Sequence, residues 1–183
     1  MISCLAQRNS RRFQWMGWQV ASRPKPVVIN GAAGNDRCFQ SREELRMDKR
    51  QSSSQDEAAI RDVVEPWAAA VRRRDFDGIL QNHSSDIVMF DVPPPFQSTG
   101  IEAYKKTWDL FFSCSSDPIV FDITSMTITA ASNVAFVVAT MHCTEPGADG
   151  ERQGLDFRLT IGLRKIGGRW TITHEHHSVP AED

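Results

Sequence analysis

The sequence predicts an α+β domain in which an antiparallel sheet curls over helices that precede it. Three observations predict it. Apolar residues recur at helical spacing between Ile60 and Val71; the chain after Pro118 is almost continuously β-branched or alternating; and a turn signal separates each of those later runs from the next. Helices first and a strand meander afterwards is the order of a segregated α+β fold.

The elements follow in chain order. Ile60, Val63, Val64, Trp67, Ala68 and Val71 define one face of an amphipathic helix starting near Asp56, with Pro66 expected to kink it or mark a broken first turn. Asp75 is placed to cap a short second helix running towards His83. Ile87–Val92 reads as a brief strand stopped by Pro93, Pro94 and Pro95. Gly100 precedes a third helix with Ile101, Tyr104, Trp108, Phe111 and Phe112 on one face. Four strands are expected at Ile119–Thr129, Val134–Thr144, Leu155–Ile166 and Trp170–Val179.

Residues 1–54 are expected to be a disordered or non-native extension of this domain, which spans 55–180. Residues 1–46 show no sustained period and hold eight basic residues against Asp36, Glu43 and Glu44. They lack the apolar core of a secretory signal. Two readings stand: an organellar presequence built on Arg8, Arg11 and Arg12, or an untranslated leader with Met47 as the true start, the latter preferred. The domain is then expected in the cytoplasm, and in an organelle only if residues 1–46 are a presequence. No apolar run reaches the roughly 18 residues of a membrane span. The remaining 13 basic and 20 acidic residues make an acidic body, a poor partner for nucleic acid, where each phosphate contact needs a cation. Cys4, Cys38, Cys114 and Cys143 follow no metal or disulfide spacing and read as idle thiols.

The last strand carries His174, His176 and His177, three of the five histidines. Gly167-Gly168 suits a two-residue hairpin turn between it and the preceding strand. Carried along both strands, that register opposes Leu163 to Ile172, Ile161 to His174, and Leu159 to His176. It predicts that His174 and His176 face inward and that Glu175, His177 and Arg158 face outward. His174 and His176, with Asp91 or His142, are too few and too loosely spaced to enforce a metal site, so none is expected.

Arg158–Trp170 running into His174–Pro180, with the acidic-aromatic turn at Phe90-Asp91 and Gly100 opening a helix, resembles the nuclear transport factor 2-like superfamily, in its SnoaL-like and ketosteroid isomerase-homologue branch. The tail is also similar to the association domain of calcium/calmodulin-dependent kinase II. The resemblance covers about residues 55–180 and implies a cone, a bent sheet closed by helices around an apolar pocket (the cystatin-like architecture). It further implies a homodimer joined through the outer face of the sheet, and a small hydrophobic ligand handled without a cofactor. Within that frame Asp91 is the candidate general base, since desolvation in an apolar cone makes a carboxylate a better base. His176 and Tyr104 are the candidate groups that polarise a substrate oxygen. Trp67, Trp108, Phe112, His142, Arg158 and His174 are candidate ligand contacts, with His142 open between the cone and a dimer interface. Two functions remain: an acid–base isomerase, cyclase or hydrolase acting on a hydrophobic carbonyl compound, or a non-catalytic binding or association domain.

Overall fold

The computed structural model describes residues 36–115, 118–146 and 152–181. Of residues 1–46, read as a presequence or leader, residues 1–35 lie outside the described residues. In chain order the elements are helix α1 (Asp36–Arg72), helix α2 (Phe76–Leu80), strands β1 (His83–Phe90) and β2 (Ser98–Thr99), helix α3 (Ile101–Cys114), then strands β3 (Phe121–Ala130), β4 (Val134–Pro146), β5 (Arg152–Ile166) and β6 (Arg169–Ser178). The six strands form one sheet in the order β2-β1-β6-β5-β4-β3. No helix among the described residues is long and apolar enough to cross a membrane.

Helix α1 starts upstream of the expected Asp56 and continues unbroken through Met47 and past Pro66, which lies on its exposed side well beyond the first turn. Its packed portion is the one that periodicity picks out. Ile60, Val64, Trp67, Ala68 and Val71 are buried, whereas residues 54, 55, 57, 58 and 59 are exposed. Asp56 tethers this boundary to the sheet, accepting from Lys165 Nζ at 2.5 Å and from Trp170 Nε1 at 3.1 Å. Asp75 caps α2 as expected, its side chain accepting from the Gly78 amide. Arg74, at φ 54°, turns the chain between the two helices and donates to the carbonyls of Phe112 and Ser115, where α3 ends. A guanidinium there satisfies carbonyls that the helix leaves without partners.

The sheet departs from a pure antiparallel meander at one seam. β1 joins β6 in parallel, while β1–β2, β3–β4, β4–β5 and β5–β6 are antiparallel. The earliest long strand thus pairs with the last, and the two ends of the domain meet at mid-sheet. The inner face carries Val137, Met141, Leu159, Ile161 and Ile172, which pack against α1 and α3.

The hairpin turn is as predicted: Gly167 and Gly168 take φ 57° and 80°, a combination side chains rarely allow. Ile166 opposes Arg169, and the pairing holds as far as Leu163 with Ile172. There a β-bulge intervenes. The next pair is Gly162 with His174, leaving Thr173 as the extra residue. A Cβ placed on Gly162 would stand 3.2 Å from that of His174, and Thr173 Oγ1 donates to the Gly162 carbonyl at 3.2 Å. Glycine at 162 gives the bulge its room.

That one residue reverses the expected faces. Beyond Thr173, Glu175 and His177 point inward and are buried, while His176 is exposed and His174 half-buried on the outer face. The expectation of inward His174 and His176 is therefore corrected, because side-chain parity along a strand changes with each inserted residue. Arg158 is exposed on the outer face beside Ser178, as its parity on β5 predicts. Deleting Thr173 should drive Glu175 and His177 to the outer face and put His174 and His176 in the core. We expect loss of cooperative thermal unfolding; a variant that melts like the parent would show that the bulge does not set the register.

Candidate active site

The polar interior is assembled by four elements. β6 supplies Glu175 and His177; β1 supplies His83 at its start and Asp91 just past its end; α3 supplies Tyr104 and Trp108; α1 supplies Trp67. Glu175 is fully buried. Its Oε1 accepts from Tyr104 Oη at 2.8 Å and from His83 Nε2 at 2.7 Å. The Tyr104 oxygen in turn accepts from Trp67 Nε1 at 3.1 Å, and the Tyr104 ring stacks on His83 with centroids 4.6 Å apart. The other carboxylate oxygen, Oε2, faces His177 Nε2 at 3.5 Å, an ion-pair separation too long for a well-formed hydrogen bond.

His177 stands between two carboxylates. Its Nδ1 lies 3.4 Å from Asp91 Oδ1, which also accepts from the Val92 amide at 2.8 Å. Trp108 and Phe157 flank the imidazole, with ring centroids 6.5 and 5.2 Å away. Trp108, Phe111, Phe121 and Phe157 extend this aromatic wall through edge-on and tilted contacts. Asp91 is the member nearest solvent, its side chain 18% exposed against 8% for His177 and none for Glu175. The row therefore runs from a wet carboxylate through an imidazole to a dry carboxylate.

Charge follows from this placement. Burial works to neutralise His177, but Asp91 and Glu175 outweigh it and raise its pKa from 6.5 to about 9. Burial works to protonate Glu175, yet His177 and His83 outweigh it and hold the carboxyl at about 2. Burial first, then the Glu175 charge, push the Tyr104 phenol well above its ordinary range. Tyr104 keeps its proton, and that proton is committed to Glu175.

Of the residues expected from sequence, Asp91, Tyr104, Trp67 and Trp108 come together here, with Phe112 half-buried beside Trp108. His142, His174, His176 and Arg158 do not. His142 is on the outer face with Nδ1 2.7 Å from Asp156 Oδ1. His174 Nδ1 donates to the Val88 carbonyl at 2.8 Å, and His174 and His176 both pack on Phe90, on the same side. With its proton given to Glu175, Tyr104 has none to offer a substrate oxygen. Sequence reasoning missed Glu175, His177 and His83. The signal for the first two was Gly162, since a glycine inside a strand often marks a bulge; for His83 there was none. Among the described residues no group of three or more His, Cys, Asp or Glu side chains is arranged to hold a metal ion.

The SnoaL-like domain family model matches residues 60–182. The chain belongs to this family. A nuclear transport factor 2-like protein of unknown function from Pseudomonas putida is 35% identical, aligned over 71% of this chain and 90% of its own, with a TM-score of 0.65. Two more distant structures share the fold. A ketosteroid isomerase-like protein from Erwinia carotovora is 19% identical over 68% of this SnoaL-like chain and 96% of its own, with a TM-score of 0.58. The association domain of calcium/calmodulin-dependent kinase II from C. elegans is 16% identical over 70% and 98%, with a TM-score of 0.57. A comparison with curated proteins returns no match. The expected family and the α+β, cystatin-like architecture are thus both found.

The site dictates how stability depends on pH. His177 has a raised pKa in the fold, so its contribution is complete below 6.5 and is lost as pH rises through about 9. Glu175 has a depressed one, so its contribution is complete above 4.5 and is lost as pH falls through about 2. We expect Tm to be highest between these limits and His177→Gln to flatten the alkaline limb. An alkaline limb unchanged by that substitution would remove His177 as its source.

Proposed function

We propose that this SnoaL-like protein is an acid–base enzyme that moves a proton on a small hydrophobic carbonyl compound. One observation carries the reading: a carboxylate that reaches solvent, Asp91, is backed by a buried imidazole that aromatic rings flank. Both nitrogens of His177 face carboxylates, so the group presented to a ligand is Asp91. Its Oδ1 is occupied by His177 and the Val92 amide, leaving Oδ2 to meet a substrate. Asp91 would take a proton from the carbon beside a carbonyl, the C–H electron pair passing into the enolate, and return it to the same or a conjugated carbon. His177 holds the carboxylate in place and receives no substrate contact. In this scheme it replaces the outward-facing His176, and no cofactor is required.

A second copy is the expected protein partner. The outer face of β4 exposes Val134, Phe136 and Val138, each about half accessible, in successive outward positions. Water-exposed apolar stripes of this kind favour association. The unpaired thiols of Cys114 and Cys143 agree with a reducing cytoplasm. The association-domain reading draws on the same stripe and differs in predicting no turnover.

Hydrogen–deuterium exchange beside the carbonyl, followed by NMR over a panel of hydrophobic ketones, tests the chemistry whatever the product is. Asp91→Asn should slow exchange of an accepted ketone by about 10²-fold or more in a protein that stays folded, with Tm lowered by the loss of its ion pair to His177. Exchange at the parental rate would take Asp91 out of the reaction, and absence of exchange on every ketone favours the association domain. Phe136→Asp should convert a dimer to monomer in sedimentation velocity; an unaltered dimer would put the interface elsewhere.

A further inference from the structure

We propose that Glu175, which has no access to solvent, is the positioning residue of this site: it holds His177 as the cationic partner of Asp91 and so fixes how Asp91 meets a substrate. This deepens the reading of Asp91 as the proton carrier and rests on it for its catalytic consequence.

The geometry supplies the argument. His177 has a carboxylate oxygen 3.4 Å from Nδ1 and another 3.5 Å from Nε2. A neutral imidazole carries one N–H and one lone pair. It would therefore turn a lone pair toward one of the two carboxylates, in a buried interior where little water screens the repulsion. Only the doubly protonated ring offers a hydrogen to both. The other groups against His177, Trp108 from α3 and Phe157 from β5, carry no charge. The remaining titratable neighbours, His83 from β1 and Tyr104 from α3, bind Glu175 through its other oxygen. Those two donors orient the carboxylate so that Oε2 points at Nε2. Without the Glu175 charge nothing engages Nε2, one proton on the ring loses its reason to stay, and Asp91 loses its cationic support.

The imidazole of His177 reports this directly through ¹⁵N chemical shifts, with no substrate present. In the unaltered protein both ring nitrogens should be protonated at pH 7. Glu175→Gln keeps an oxygen that can accept from Tyr104 and His83 but removes the charge. The midpoint of His177 should then fall by at least one pH unit, a tenfold loss in proton affinity. A folded Glu175→Gln protein whose His177 titrates like the parent overturns the proposal, as does a parental His177 carrying a single ring proton at pH 7. If Glu175→Gln does not fold, Tyr104→Phe gives a second test of the same sign. Losing that donor loosens the orientation of Oε2 towards Nε2, so the midpoint of His177 should fall below the parental value, and a midpoint at or above it overturns the proposal. Because this readout needs no turnover, a failure of Asp91 as proton carrier is distinguishable from a failure of Glu175 as positioning residue.

Discussion

A carboxylate with no access to water is the constraint around which this domain is built. Moving an ion of that kind from water into a protein interior costs several kcal/mol even after relaxation, unless hydrogen bonds and opposite charge replace the lost hydration. Glu175 receives both, from Tyr104 and His83 on one oxygen and from His177 across from the other. The donors sit on α3, β1 and β6, and Trp67 extends the chain to α1 through the Tyr104 oxygen. Sliding any of these elements by one residue would strand a charge in the core. Apolar packing alone tolerates such slips better, because methyl groups are interchangeable in a way that donors and acceptors are not.

The same constraint explains why the interior is divided. Towards β3 and α3 the core is aromatic and makes edge-on contacts among Trp67, Trp108, Phe111 and Phe121. Towards β1 it is polar. His177 lies at the boundary, touching Phe157 and Trp108 on its faces and carboxylates at its nitrogens. The imidazole therefore has hydrocarbon against its ring and a fixed charge pattern at its nitrogens.

Much of the fold was legible because it depends on local rules. The spacing of Ile60, Val64, Trp67 and Val71 marked the buried stretch of α1, and the paired glycines marked the β5–β6 turn. The polar extension of α1 upstream of Ile60 offered no apolar stripe to read. The parallel seam between β1 and β6 joins segments far apart in the chain, and nothing local encodes it. Two members of the buried cluster could be picked out as residues, Asp91 by its apolar neighbours and Tyr104 by its place on the stripe of α3, although Tyr104 gives its proton to Glu175. The site was misread at His174 and His176 because a hairpin register was carried through a bulge. Parity arguments are only as good as the count of residues between turn and site, and Gly162 was where that count changed.

The parallel pairing of β1 with β6 has a consequence for the order of events in the cell. His83 and Asp91 emerge from the ribosome well before Glu175 and His177, with α3 and the β3–β5 meander made in between. Until β6 arrives, β1 has only the two-residue β2 as a neighbour, and the meander exposes the β5 edge that β6 will cover. Contacts of such long sequence separation form late and slowly. The nascent chain therefore spends its synthesis with an open strand edge at the centre of the future sheet, a template for pairing with another chain. Arrival of the last strand closes that edge and brings Glu175 and His177 to His83 and Asp91 in one step, so a chain that stops short of it keeps the open edge and lacks the buried cluster.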